Sequence, residues 1–193
     1  MSRRSSKKMS DLKLTKFICC WRVRAGTLGV IGIIVFARPS WESLLAGLGL
    51  SLLGLGLRAW AAGHLRKEKV LAVSGPYRWT RNPLYLGSLL IGAAMAVGSW
   101  SWGAAAILAA YFLVFYPVVI TEERKRMKAL FPVEYETYGK RVPLFFPSFR
   151  KAPAYQSSPF SRALYRKNKE QRALIGTIVL WFVLIGRMYF PGR

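Results

Sequence analysis

The chain has 193 residues, 53% of them apolar, and a formal net charge of +22. This length suffices for one domain and is short for two. A soluble nucleic-acid-binding protein would carry the charge without long uncharged segments, so the separation of apolar blocks from basic segments favours a membrane protein and argues against nucleic acid as a partner.

Five apolar blocks follow one another along the chain and predict an all-α fold, a polytopic transmembrane bundle of about five spans. A hydrocarbon core of about 30 Å needs about 20 apolar helical residues, so the second and fourth blocks fit best. The first and third need length from their flanks, and lengthening the first block towards the N-terminus would enclose Arg22 and Arg24. The blocks are residues 25–37, 43–63, 83–98, 103–120 and 173–190.

The blocks and the charges between them divide the chain into four parts. These are a basic cytosolic tail (1–24), a transmembrane core (25–147), a basic connector (148–172) and a C-terminal transmembrane helix (173–193). Of the 30 Lys and Arg residues, 26 lie in segments 1–24, 64–82 and 121–172, which five spans place on one side of the membrane. Cytosolic loops are enriched in these residues, so we predict a cytosolic N-terminus and contact of the basic loops with anionic lipid headgroups. A compact chain without an evident eukaryotic sorting signal favours a bacterial plasma membrane.

Glycine recurs in the second block, at positions 47, 49, 54 and 56. Small residues let transmembrane helices approach closely. No strand pattern precedes these glycines, so we interpret them as helix-packing residues and not as a nucleotide-binding loop.

A turn-rich, basic and aromatic segment precedes the third block, and an acidic pair follows the fourth. Residues 74–77 (Ser-Gly-Pro-Tyr) predict a turn, and Pro83 suits the first turn of a helix because it lacks an N–H. Blocks three and four form a tight hairpin, so their cytosolic ends should be adjacent. We therefore expect residues 81–85 (Arg-Asn-Pro-Leu-Tyr) to face Glu122 and Glu123 at the membrane surface.

The order of these elements resembles the isoprenylcysteine carboxyl methyltransferase family and its phospholipid methyltransferase relatives. The family pattern combines Leu-Val-x-x-Gly-x-Tyr, Arg-His-Pro-x-Tyr-x-Gly, a helical hairpin, Glu-Glu, Tyr-x-x-Tyr and Val-Pro. Asn82 replaces the family histidine and cannot titrate, and Val119 stands where eukaryotic members have an arginine implicated in substrate binding. The matching residues are Leu71, Gly75, Tyr77, Arg81, Pro83, Tyr85, Gly87, Glu122, Glu123, Tyr135, Tyr138, Val142 and Pro143.

The resemblance implies S-adenosyl-L-methionine as the cofactor, bound at the cytosolic ends of the hairpin helices. Backbone groups of residues 70–72 would read the adenine edge, Tyr77 and Tyr85 would offer aromatic faces, and Glu123 would accept hydrogen bonds. Such a reaction needs no protein nucleophile and no metal site is predicted. Tyr135 and Tyr138 are interpreted as packing residues. The implied cofactor-binding residues are Val70, Leu71, Ala72, Tyr77, Asn82, Pro83, Leu84, Tyr85 and Glu123.

Two arginines are the candidate catalytic residues, Arg58 and Arg81. A charge inside an apolar span costs about 2.5 kcal/mol or more at the bilayer centre, which makes Arg58 a functional candidate. Its position near the cytosolic end also lets the side chain extend to the interface. Either arginine could bind an anionic group of the substrate or cofactor.

These features predict an integral membrane methyltransferase that O-methylates a carboxylate on an isoprenylcysteine-like or other lipid-attached acceptor. Three alternatives stay open. The acceptor could be a phospholipid or another amine, giving an N-methyltransferase. The chain could be an NADPH-dependent membrane reductase with a related helical hairpin. It could also be a non-catalytic membrane scaffold, which the replacement of histidine by Asn82 favours.

Overall fold

The structure, a computed structural model, describes residues 20–67, 69–148 and 158–189. These residues form helices, turns and loops without a strand, which confirms the predicted all-α fold. Most of the predicted tail lies outside the described residues, as do residues 149–157 near the beginning of the predicted connector. The helices are α1 (20–36), α2 (Trp41–His64), a 3-10 turn (Gly75–Arg78), α3 (Pro83–Ser99), α4 (Trp102–Leu130), α5 (Pro132–Arg141), α6 (Arg162–Lys167) and α7 (Gln171–Tyr189).

Among the described helices, α2, α4 and α7 are long and apolar enough to cross a membrane. Helix α3 is apolar but has 17 residues, and α1 is described over residues 20–36, a stretch that includes Arg22 and Arg24. A bundle of membrane helices is therefore present, whereas the number of five spans stays a prediction.

Helix α2 begins where local chemistry favours it and packs closely on α3. The Ser40 hydroxyl accepts a hydrogen bond from the Ser43 N–H, and the Ser43 hydroxyl accepts one from the Ser40 N–H, a reciprocal cap of the first turn. A Cβ on Gly47 would lie 2.6 Å from the Ala94 carbonyl oxygen, and one on Gly54 would lie 2.9 Å from that of Gly87. Glycine at these two positions is what lets the two backbones approach so closely.

Helix α4 differs from its prediction in length. It continues ten residues beyond the predicted end at residue 120, so Glu122 and Glu123 lie within the helix and not after it. Hydropathy detects only the part of a helix that lies in lipid. The charged segment 121–130 is rich in residues of high helix propensity, which extend the helix past the apolar block.

Helix α7 covers the α2–α3 pair. Trp181 and Leu184 are buried in one apolar core with Leu44, Ala94 and Met95. The Trp181 indole N–H donates to the Ser51 hydroxyl at 3.0 Å, which satisfies a polar group inside the bundle. Helix α7 thus packs against the predicted methyltransferase core.

Candidate active site

A cavity of about 680 Å³ opens where α2, α3, α4 and the loops between them meet. Its lining contains every residue that the sequence predicted for the site. These are Arg58, Val70, Leu71, Ala72, Tyr77, Arg81, Asn82, Pro83, Leu84, Tyr85 and Glu123. The hairpin geometry predicted from the sequence therefore brings the two motifs to one cavity.

The first turn of α3 is held against the segment that follows α5. The Arg81 N–H donates to the Pro143 carbonyl at 3.0 Å, and the Asn82 side-chain N–H donates to the Leu144 carbonyl at 2.7 Å. Pro83 occupies the predicted first turn of the helix, where no N–H is needed. The Val-Pro end of the motif thus has a physical function, because the carbonyls of Pro143 and of the residue after it fasten the segment that enters α3.

The turn that carries Tyr77 depends on glycine and on a tyrosine from α5. Gly75 has φ +58, and a Cβ there would lie 2.5 Å from the His64 ring. The buried Tyr138 hydroxyl donates to the Tyr77 carbonyl at 2.6 Å. These contacts fix the Tyr77 ring at the wall of the cavity, and they agree with the interpretation of Tyr138 as a packing residue.

The Tyr77 phenol keeps its proton. Burial raises the pKa of Tyr77 above its ordinary value, and the carboxylates of Glu123 and Glu170 raise it further, while Arg58 opposes them. A neutral hydroxyl at the cavity wall can donate a hydrogen bond across the physiological pH range.

The two adjacent glutamates of α4 have different surroundings. Glu123 lines the cavity. The Glu122 carboxylate instead accepts from the Lys125 ammonium at 2.6 Å on the exposed side of the helix. The Tyr85 ring, which belongs to another residue of the cavity lining, packs edge-on against Tyr116 with 5.7 Å between ring centroids. Of the acidic pair, Glu123 is the carboxylate that a ligand in the cavity can reach.

Arg58 is paired with a residue that the sequence reasoning missed. Its guanidinium donates to both carboxylate oxygens of Glu170, at 3.0 and 2.7 Å, and Glu170 also lines the cavity. The available signal was that Glu170 is the single acidic residue of an otherwise basic connector, three residues before the last apolar block.

Arg81 offers a free donor. Its guanidinium lies over the Tyr135 ring at 5.5 Å from the centroid, and one terminal nitrogen is 3.4 Å from the Tyr135 hydroxyl. The Arg81 Nε–H is buried and, within the described part of the chain, has no hydrogen-bond partner. An unsatisfied buried donor is costly, so an anionic group bound here would be stabilised.

Comparison with known proteins identifies the segment that contributes most of the cavity lining. Residues 43–134 match the phospholipid methyltransferase family. The central segment belongs to that family. The resemblance to the isoprenylcysteine carboxyl methyltransferase group is thereby confirmed, since the phospholipid methyltransferase family falls within it.

Two curated proteins are similar to this chain. The cobalt-zinc-cadmium resistance protein CzcN of Cupriavidus metallidurans is 34% identical over 128 residues, which cover 61% of this chain and 58% of that protein. The nickel-cobalt-cadmium resistance protein NccN of Alcaligenes xylosoxydans xylosoxydans is 35% identical over 113 residues, covering 56% and 52%. The chain thus spans little more than half the length of these relatives, whose names state a resistance and no substrate. No solved structure matches the chain.

The phospholipid methyltransferase domain and the apolar helices make this an integral membrane protein. The individual roles assigned to the cavity residues stay predictions.

Within the described ranges, no group of three or more His, Cys, Asp or Glu side chains could hold a metal ion.

Proposed function

We propose that this protein is an S-adenosylmethionine-dependent methyltransferase of a bacterial plasma membrane, with its active site at the cytosolic ends of α3 and α4. A single observation carries the proposal: all the residues implied by the family resemblance line one cavity. Its volume of about 680 Å³ lies within the range of about 300–1,000 Å³ of small-molecule sites. Both matched relatives are bacterial, which supports the choice of membrane.

The cavity lining suits the proposed cofactor. Residues 70–72 border the cavity, and their backbone groups can bind the adenine edge. Tyr77 and Tyr85 also line it, and the faces of their rings can attract a sulfonium. Glu123 can accept hydrogen bonds from the amino group or the ribose hydroxyls. When bound, S-adenosylmethionine supplies an activated methyl group, and the residues of this chain align the acceptor and exclude water.

The acceptor we propose first is a carboxylate on an isoprenylcysteine-like or other lipid-attached molecule. It would reach the cavity from the bilayer, because the site lies at the ends of membrane helices. Arg81 supports this choice, since it lines the cavity and its guanidinium can bind an acceptor carboxylate.

A second candidate is a phospholipid amine, and one contact favours it. Glu170 already neutralises Arg58 with two hydrogen bonds. Arg58 is therefore less available to bind the carboxylate of an acceptor than the sequence suggested. The match to the phospholipid methyltransferase family also supports an amine acceptor.

Two measurements on the full chain purified in detergent test these proposals. Calorimetry should show binding of S-adenosylmethionine and none of NADPH; heat with NADPH alone would support the reductase alternative instead. Methyl transfer from labelled cofactor should then be compared between a prenylcysteine analogue and phosphatidylethanolamine vesicles. Label in the first supports the carboxylate acceptor and label in the second the amine. Cofactor binding without label in either would favour the scaffold alternative.

A further inference from the structure

The C-terminal segment reaches the cavity through one ion pair. Glu170, directly before α7, is 112 positions from Arg58 in α2, and it lies outside residues 43–134, which match the family. The Arg58 Nε–H and Nη2–H donate to separate oxygens of Glu170 at 3.0 and 2.7 Å. Two parallel bonds between a guanidinium and a carboxylate fix orientation as well as distance. Glu170 is buried, with 8% of its surface exposed.

Arg58 also holds the first turns of α3. Its third nitrogen, Nη1, donates to the Leu84 carbonyl at 3.2 Å and to the Ser88 hydroxyl. Leu84 belongs to the turn that forms the cavity wall next to Tyr85. The guanidinium therefore joins α2, α3 and the residue before α7, and all three of its nitrogens have partners within the chain.

Glu170 is itself held in place by the end of α2. The Asn168 side-chain amide donates to the Ala62 and Leu65 carbonyls at 2.8 and 2.9 Å, at the C-terminal end of α2. The Ser161 N–H donates to the Gly63 carbonyl at 3.0 Å. The segment before α7 is thus fastened to α2 at several points, and Glu170 is presented to Arg58 from a rigid support.

We propose that Glu170 is a positioning residue of the methyltransferase site. Its carboxylate holds the Arg58 guanidinium, and through it the first turn of α3, in the geometry that binds the cofactor. The C-terminal segment with α6 and α7 is accordingly part of the active site, although it lies outside the family domain. This inference rests on the proposed function. A purely structural ion pair would change the stability of the protein and leave the cofactor affinity of the folded form unaltered.

The test is a double-mutant cycle on cofactor affinity, with Glu170→Gln, Arg58→Gln and the combination in the full chain. The affinity for S-adenosylmethionine, measured by calorimetry, should fall about tenfold in Glu170→Gln and at least as much in Arg58→Gln, which also loses its contacts with α3. The double variant should bind no more weakly than Arg58→Gln, because Glu170 acts through Arg58. Glu136→Gln is the matched control, since that carboxylate is exposed and is not among the residues that line the cavity. Its affinity should equal that of the unaltered protein.

Each outcome is decisive for one of the two proposals. If Glu170→Gln binds S-adenosylmethionine within twofold of the unaltered protein, the inference is overturned. It is also overturned if the loss of affinity in the double variant equals the product of the losses in the two single variants. If a single variant fails to fold, the double variant carries the test, because it leaves no unpaired buried charge. Normal affinity in the folded double variant would likewise overturn the inference. Failure of the unaltered protein to bind S-adenosylmethionine would instead overturn the proposed function, and this inference with it.

Discussion

Glu122 and Glu123 show how much one position along a helix changes the surroundings of a side chain. Successive residues point about 100° apart around an α-helix. Glu122 accordingly meets Lys125 on the exposed surface, while Glu123 faces the cavity. Neither their identity nor their spacing distinguishes the two in the sequence, and only the family resemblance selected Glu123.

Replacing Glu123 by Gln should weaken S-adenosylmethionine binding by about tenfold or more, because a hydrogen bond to a charged group contributes about 1.5–3 kcal/mol. Calorimetry on the purified protein measures the change. Glu122→Gln is the control, and it should bind the cofactor normally because its ion pair with Lys125 is exposed and contributes little. Equal losses in both variants would show that the carboxylate facing the cavity has no particular role.

Asn82 was predicted as a cofactor contact in place of the family histidine. It lines the cavity, but its side-chain N–H donates to the Leu144 carbonyl. The contact with the cofactor therefore stays a prediction, and the visible contribution of this residue is to hold the entry to α3.

At the scale of the helices, four glycines of α2, at positions 47, 49, 54 and 56, divide into two sets that the sequence did not separate. Gly47 and Gly54 lie against α3, whereas a Cβ on Gly49 or Gly56 would meet nothing within 4 Å. All four are in the same apolar block, so composition predicted close packing without saying which face of the helix would make it.

Gly54→Ala should destabilise the protein by about 1–3 kcal/mol, because the added methyl group overpacks the contact with Gly87 and Ile91. Gly56→Ala, the matched control two residues along, should leave stability unchanged or raise it by up to about 1 kcal/mol through helix propensity. Thermal unfolding in one detergent compares the pair. Equal melting temperatures would contradict the α2–α3 contact.

Helices α3 and α4 were predicted with differing accuracy for one reason. Pro83 marks the beginning of α3, and the observed end at Ser99 is one residue from the prediction. The end of α4 carried no such signal, since the chain passes from apolar to charged residues without leaving the helix before Leu130. Hydropathy thus located the membrane segment of α4 and underestimated the length of the helix.

At the scale of the whole molecule, the distribution of Lys and Arg predicts which loops face the cytosol. The loop before α3 is basic, and the turn between α3 and α4 carries Trp100 and Trp102, which are exposed and suited to the membrane interface. The cavity lies at the end of the bundle with the basic loops, which would open it to cytosolic cofactor.

Cysteine labelling tests this orientation. In a variant without the two natural cysteines, Lys69→Cys should react with a membrane-impermeant maleimide only after the cells are permeabilised. Trp102 is 93% exposed, and Trp102→Cys should react with the same maleimide in intact spheroplasts. The reverse pattern would show that the protein is inserted with the opposite orientation.

The sequence alone determined the membrane character, the bounds of α2, α3 and α7 to within two residues, and eleven of the residues around the cavity. Apolar blocks, turn residues and an ordered motif are local signals, and a tight hairpin brings its two ends together without further information. Only the tertiary structure decided that Glu170 pairs with Arg58, that Glu123 and not Glu122 faces the cavity, and that Gly54 and not Gly56 contacts α3. These outcomes depend on the rotation of each helix and on contacts between distant segments, which packing of the whole bundle determines.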